Sequence, residues 1–120
     1  MHSELERKKP VWLALSEFFL DTDLDDEAME HIGAVVIDSG YTLAETKEIL
    51  MDNLFPALLF NLHDVAGEWE GFPEEWLLKR IEETQNPNFF KKLYHKANFY
   101  LVKDYWNRLA ETIEAEQNTH

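Results

Sequence analysis

The chain of 120 residues is long enough to bury one sizeable core, and its 45% hydrophobic and 13% aromatic content argues against a globally disordered polymer. It holds no cysteine, which excludes disulfides and thiolate chemistry, and no apolar run approaches the roughly 20 residues needed to span a bilayer. The formal net charge of −13 is unevenly placed: residues 21–83 carry 17 acids against Lys47, Lys79 and Arg80, residues 1–20 balance, and residues 84–120 hold five bases against four acids. Such an anionic block repels nucleic acid and anionic membranes and attracts basic proteins. Acidic surfaces also serve solubility. The opening MHSELERKKPVW has no apolar core of the signal-peptide kind, so the expected location is the cytoplasm.

Residues 1–8 are polar and expected to be flexible. Pro10 suits the first turn of a helix, and the spacing of Val11, Trp12, Leu15, Phe18 and Phe19 predicts a buried helix over about 10–20. The run DTDLDD follows. Asp21, Asp23 and Asp25 match the opening spacing of a calcium loop, but Asp26 stands where that loop needs glycine and Ile32 where it needs glutamate. These aspartates therefore read as caps for the next helix.

That second helix is predicted over about 25–38, with Met29, Ile32, Val35, Val36 and Ile37 inward and Gly40 as its left-handed stop. Glu27 and His31 lie four apart on it and read as a solvated pair rather than metal ligands. Thr42 and Glu45 form a capping box for a third helix that buries Leu43, Ile49, Leu50 and Leu54. Pro56 must end or kink it, and the apolar PALLFN segment continues as a deeply packed fourth element.

The stretch NLHDVAGEWEGFPEEW over 61–76 interrupts the helical pattern. Gly67 and Gly71 bracket Glu68, Trp69 and Glu70, which predicts a structured turn pinned by Trp69, Phe72 and Trp76. Pro73 and the acids after it open a helix whose inner face is Trp76, Leu77 and Ile81. Gln85 to Asn88 breaks the chain, with Asn88 as a helix cap. A last helical region over about 89–114 carries the stripe Phe90, Leu93, Ala97, Leu101, Tyr105, Leu109 and Ile113. At 1.5 Å per residue it would span about 39 Å, too long for so small a domain, so a bend near 96–99 is expected.

Without sustained two-residue alternation there is no sheet to predict. The reading is one all-α domain over 1–120, a compact bundle of five or six helices with a structured Gly/Trp loop at about 62–72. Residues 116–120, like 1–8, are expected to be flexible.

Phosphate-cradling glycine loops, zinc-protease helices and nucleophile elbows are all missing from the sequence. Ser3, Ser16 and Ser39 have no catalytic context, and the five histidines show no ligand spacing, so no metal or cofactor is expected. The remaining enzymatic option places His63, Asp64, Glu68 and Glu70 in the 61–76 loop, where a carboxylate beside tryptophan gains a raised pKa.

Three segments, PVWLALSEFFLDTDL, LFPALLFNL and AGEWEGFPEEWL, resemble as a set a family of small acidic bacterial proteins of uncharacterised function. The resemblance covers roughly residues 9–83, with a fainter extension towards Trp106, and implies no activity, cofactor or catalytic residue. By size, charge and helical class the chain is also similar to immunity proteins of bacterial toxin systems.

The expected function is therefore non-enzymatic: an immunity or inhibitor protein whose acidic surface neutralises a basic toxin or nucleic-acid enzyme. The expected contacts are Asp23, Asp25, Asp26, Glu68, Glu70, Glu74 and Glu75, with Trp69 as anchor. No direct nucleic acid or membrane contact is expected, and the chain is a monomer or a homodimer through its aromatic C-terminal stripe. The alternatives are a nucleic-acid mimic blocking a DNA-binding machine, and a small enzyme or ligand-binding protein using the 61–76 loop.

Overall fold

The fold comes from a computed structural model that describes residues 4–19, 24–63, 73–84 and 88–118, without the side chains of 60–63, 89, 90 and 118. The first helix, α1 (Glu4–Ser16), starts earlier than the predicted boundary near residue 10 and ends in a 3₁₀ turn, Glu17–Phe19. Pro10 therefore sits inside the helix and not at its first position. An interior proline weakens a helix by removing a donor and crowding the preceding turn. Tertiary contacts hold the weakened first turns. The Arg7 Nε–H donates to the Ser39 carbonyl at 2.9 Å, and the Tyr41 hydroxyl donates to Glu4 Oε2 at 3.0 Å.

The local signals for α2 (Asp26–Ser39) act as predicted. Asp25 accepts from the Ala28 N–H at 2.8 Å, and Gly40 takes a left-handed φ of 82° while its N–H donates to the Ile37 carbonyl. Met29, Ile32, Gly33 and Val36 are buried, and Val35 and Ile37 are half-buried. This face packs between α1 and α7 (Lys103–Asn118). Gly33 lets α2 and α7 approach closely: a Cβ there would stand 3.3 Å from Thr112 Cγ2.

The capping box of α3 (Leu43–Ile49) is complete, with the Glu45 N–H on Thr42 Oγ1 at 3.1 Å and the Thr42 N–H on Glu45 Oε1 at 2.9 Å. The helix does not end before Pro56. It widens into a π turn, Leu50–Leu54, and runs on as α4 (Phe55–His63). The Phe55 N–H reaches back five residues to the Leu50 carbonyl. A widened turn makes room for the proline ring, which in a regular helix would clash with the carbonyl four residues earlier. Leu50, Leu54, Phe55 and Leu58 are fully buried there, and Phe19 meets the Phe55 ring edge-on at 5.3 Å between centroids. Full burial of each such side chain contributes about 1.5–3 kcal/mol.

Residues 64–72, which carry Gly67, Trp69 and Gly71, lie outside the described residues, while 62 and 63 complete α4. The next helix, α5 (Glu74–Glu83), follows Pro73 and packs on α4 through the fully buried Leu77 and Ile81. The Arg80 Nε–H donates to the Ala57 carbonyl at 3.2 Å, tying the two helices. Trp76 departs from the sequence reading: it is 38% exposed. Leu77 and Ile81, four apart, define the inner face, and Trp76 stands beside it.

The expected bend in the C-terminal region is present. Asn88 caps α6 (Phe89–Ala97) by accepting from the Lys91 N–H at 2.8 Å. Asn98 ends that helix, and a 3₁₀ turn, Phe99–Leu101, leads into α7, which runs to Asn118 beyond the predicted end. The break splits the predicted apolar stripe. Leu109 and Ile113 are buried, but Leu93 is 55% exposed, and His95 takes the inner position on α6. The reason is phase: an interruption at Asn98 rotates the two halves of the stripe relative to one another. Together the described residues form a single all-α bundle, with α3, the π turn and α4 as its central rod.

Candidate functional site

A concavity rich in ionisable groups lies where α1, the α2–α3 connection, α3 and the π turn meet. It has a volume of about 260 Å³ and is lined by Glu4, Lys8, Tyr41, Glu45, Glu48, Ile49, Asp52 and Asn53. The helical spacing of Glu45, Glu48 and Asp52 sets all three on one side of the α3–π rod. Glu4 and Lys8, four apart on α1, form the facing wall. Tyr41 and Asn53 each hydrogen-bond to α1.

Tyr41 donates to Glu4, and the Arg7 guanidinium lies 4.0 Å above the Tyr41 ring centroid. Arg7 also pairs with Glu4 at 3.5 Å. Opposite, the Trp12 indole N–H donates to Asn53 Oδ1 at 3.0 Å, which fixes the π turn to α1. Burial, the Glu4 hydrogen bond and the nearby charges of Glu4 and Glu45 push the Tyr41 hydroxyl pKa up, so it stays a donor. The Thr42 backbone N–H holds the Glu45 carboxyl below its ordinary value, so it stays ionised. Four carboxylates and one lysine thus line the hollow. The arrangement suits a lysine or arginine side chain. Among the described residues no group of three histidines or carboxylates is placed to hold a metal ion.

A more open groove of about 590 Å³ lies across α1, between it and α2, lined by Glu6, Arg7, Pro10, Val35, Asp38 and Ser39. Arg7 lines this groove and contacts Glu4 and Tyr41 of the hollow. Elsewhere, Glu17 has a pKa raised by partial burial, with His31 opposing the shift.

The acids singled out in the sequence are distributed differently. Asp25 caps α2, and Asp26 pairs with Arg108 at 3.2 Å, while Arg108 also donates to the Leu24 carbonyl at 2.9 Å. Glu74 and Glu75 are exposed in the first turn of α5. These two pairs occupy different helices, each packed against α1. Asp23, Asp64, Glu68, Trp69 and Glu70 fall outside the described residues, as does the side chain of His63. Sequence reasoning missed Glu4, Tyr41, Glu48, Asp52 and Asn53 as members of one site. The three-and-four spacing of Glu45, Glu48 and Asp52 was the available signal. Their partner Glu4 lies 37 residues before Tyr41, a separation that local patterns do not bridge.

No described helix is long and apolar enough to cross a membrane. The sequence model of a family described as a domain of unknown function (DUF7079) matches residues 6–116. No curated protein and no solved structure matches the chain.

Proposed function

Since the chain belongs to the DUF7079 family, whose description carries no activity, we propose a function from its own surface: it is a non-enzymatic binding protein whose acidic hollow takes a lysine or arginine of a basic protein partner. The partner is a bacterial toxin or a nucleic-acid enzyme, and the chain acts as its immunity protein or inhibitor. The observation that carries this reading is the hollow bounded by Glu4, Glu45, Glu48 and Asp52. It sits within a chain of net charge −13, whose field draws a cationic partner and raises its association rate. The tyrosine–glutamate and tryptophan–asparagine contacts hold the walls before binding, which lowers the ordering cost of association.

Glu48 and Asp52 are exposed, so their reversal leaves the core intact. Affinity capture with the wild-type protein and with the double variant Glu48→Lys, Asp52→Lys tests the proposal. The expected result is a basic partner retained by the wild type at low salt and weakened at least about tenfold by the variant, a loss of about 1.4 kcal/mol. Equal retention by both, with unchanged helical content, removes the hollow as the binding site.

A further inference from the structure

The exposed large apolar side chains of the described surface are Leu5, Trp76, Leu93, Tyr94 and Tyr100. All but Leu5 lie on α5, on α6 or on the 3₁₀ turn that follows α6. Both helices pack on α4. Their charges are opposite. Glu74, Glu75, Glu82 and Glu83 are exposed on α5 around Trp76, with Lys79 among them. Lys91, Lys92 and Lys96 are exposed on α6 beside Leu93 and Tyr94, and no carboxylate occurs from 84 to 103. Tyr100 is the most exposed of these residues, at 67%. A lysine-edged apolar patch on α6 and a glutamate-edged tryptophan on α5 are complementary across two copies of the chain.

We propose that α5 and α6 form a homodimer face, in which α5 of each copy packs against α6 of the other. A two-fold arrangement makes the pairing reciprocal: each contact between the acidic and the basic helix occurs twice. The glutamates of one copy then meet the lysines of its partner, and Trp76 meets Leu93 and Tyr94. An acidic partner of another kind would match α6 alone, whereas a second copy matches α6 and α5 together. This surface is separate from the acidic hollow and does not rest on it. The interface is modest: helices of 10 and 9 residues are about 15 Å long, which places it at the low end of interface sizes. The net charge on each copy opposes approach as well. Association is therefore in the micromolar range.

Sedimentation equilibrium between about 1 and 500 µM tests this with surface variants that leave the core untouched. The wild type is expected to rise from the monomer mass of 14.2 kDa towards twice that value. Lys92→Glu with Lys96→Glu, and separately Glu75→Lys with Glu82→Lys, are each expected to remain monomeric, because like charges then face one another. An equimolar mixture of the two variants is expected to restore the dimer, since each reversed helix finds its complement. A wild type that stays monomeric throughout overturns the proposal. So does a mixture no heavier than its components, or variants that dimerise as the wild type does. A monomer that instead binds single-stranded oligonucleotides or anionic vesicles through the same lysines also overturns it.

Discussion

At the scale of single residues, His95 carries the clearest physical consequence. It is buried at 7% exposure near the Phe55 ring, and its Nδ1 meets no hydrogen-bond partner among the described residues. Burial, with Lys91 adding to it, lowers its pKa below the ordinary histidine value. In the unfolded chain the imidazole binds a proton more readily than in the fold, so protonation favours unfolding. The stabilising effect of keeping His95 neutral is fully present above the unfolded pKa of about 6.5 and is lost as pH falls through the folded value. Melting temperatures at pH 7.5 and 5.5 check this. The wild type is expected to lose more stability between them than His95→Leu, which removes both the titration and the orphan nitrogen. Equal losses would show that folding does not lower the His95 pKa. The capping residues Asp25, Thr42, Glu45 and Asn88 belong to this scale too, and all were legible in the sequence. A cap joins a side chain to a backbone group two or three residues on, so its signal is local. The orientations of Trp76 and Leu93 were not legible, because they depend on helix phase and on what packs against each helix.

At the scale of elements, two helix contacts shape the molecule. The α3–π–α4 rod was legible only in part. Pro56 announced a disturbance, but whether a proline ends, kinks or widens a helix depends on the packing around it. Here the fully buried Leu54, Phe55 and Leu58 favour continuity, and the Trp12–Asn53 hydrogen bond holds the widened turn. The α2–α7 contact turns on Gly33, whose missing Cβ leaves Thr112 Cγ2, Ile113 Cγ1 and Leu109 Cδ1 within 3.8 Å of the vacant position. Alanine there gains helix propensity of about 1 kcal/mol against a tight 3.3 Å contact, so Gly33→Ala is expected to be near neutral. Gly33→Val adds two methyl groups where the helices meet and is expected to lose about 1–3 kcal/mol in urea unfolding. A valine variant as stable as the wild type would mean that α2 and α7 separate without loss. The sequence presented Gly33 as an ordinary residue in a helical pattern. Its role appears only once a helix 70 residues later is in contact.

At the scale of the whole molecule, charge and shape are divided among three surfaces. The acidic hollow joins α1 to the α3–π rod, Arg108 pairs with Asp26 at the start of α2, and α5 and α6 carry opposite charges. The excess of acids was plain from composition. Its arrangement was not, because the hollow joins α1 to a rod distant from it in sequence. Both proposed interfaces draw on this division: a basic side chain enters the hollow, and a second copy meets α5 and α6. The two are separable, since Glu48 and Asp52 lie on the rod while the dimer variants lie elsewhere. The most direct measurement is the backbone amide spectrum of the isotopically labelled protein, titrated with its captured basic partner under conditions that keep it monomeric. The largest changes are expected on Tyr41, Glu45, Glu48, Asp52 and Asn53, and they are expected to vanish in the Glu48→Lys, Asp52→Lys variant. Changes centred on α6, with those five residues unmoved, would contradict this expectation.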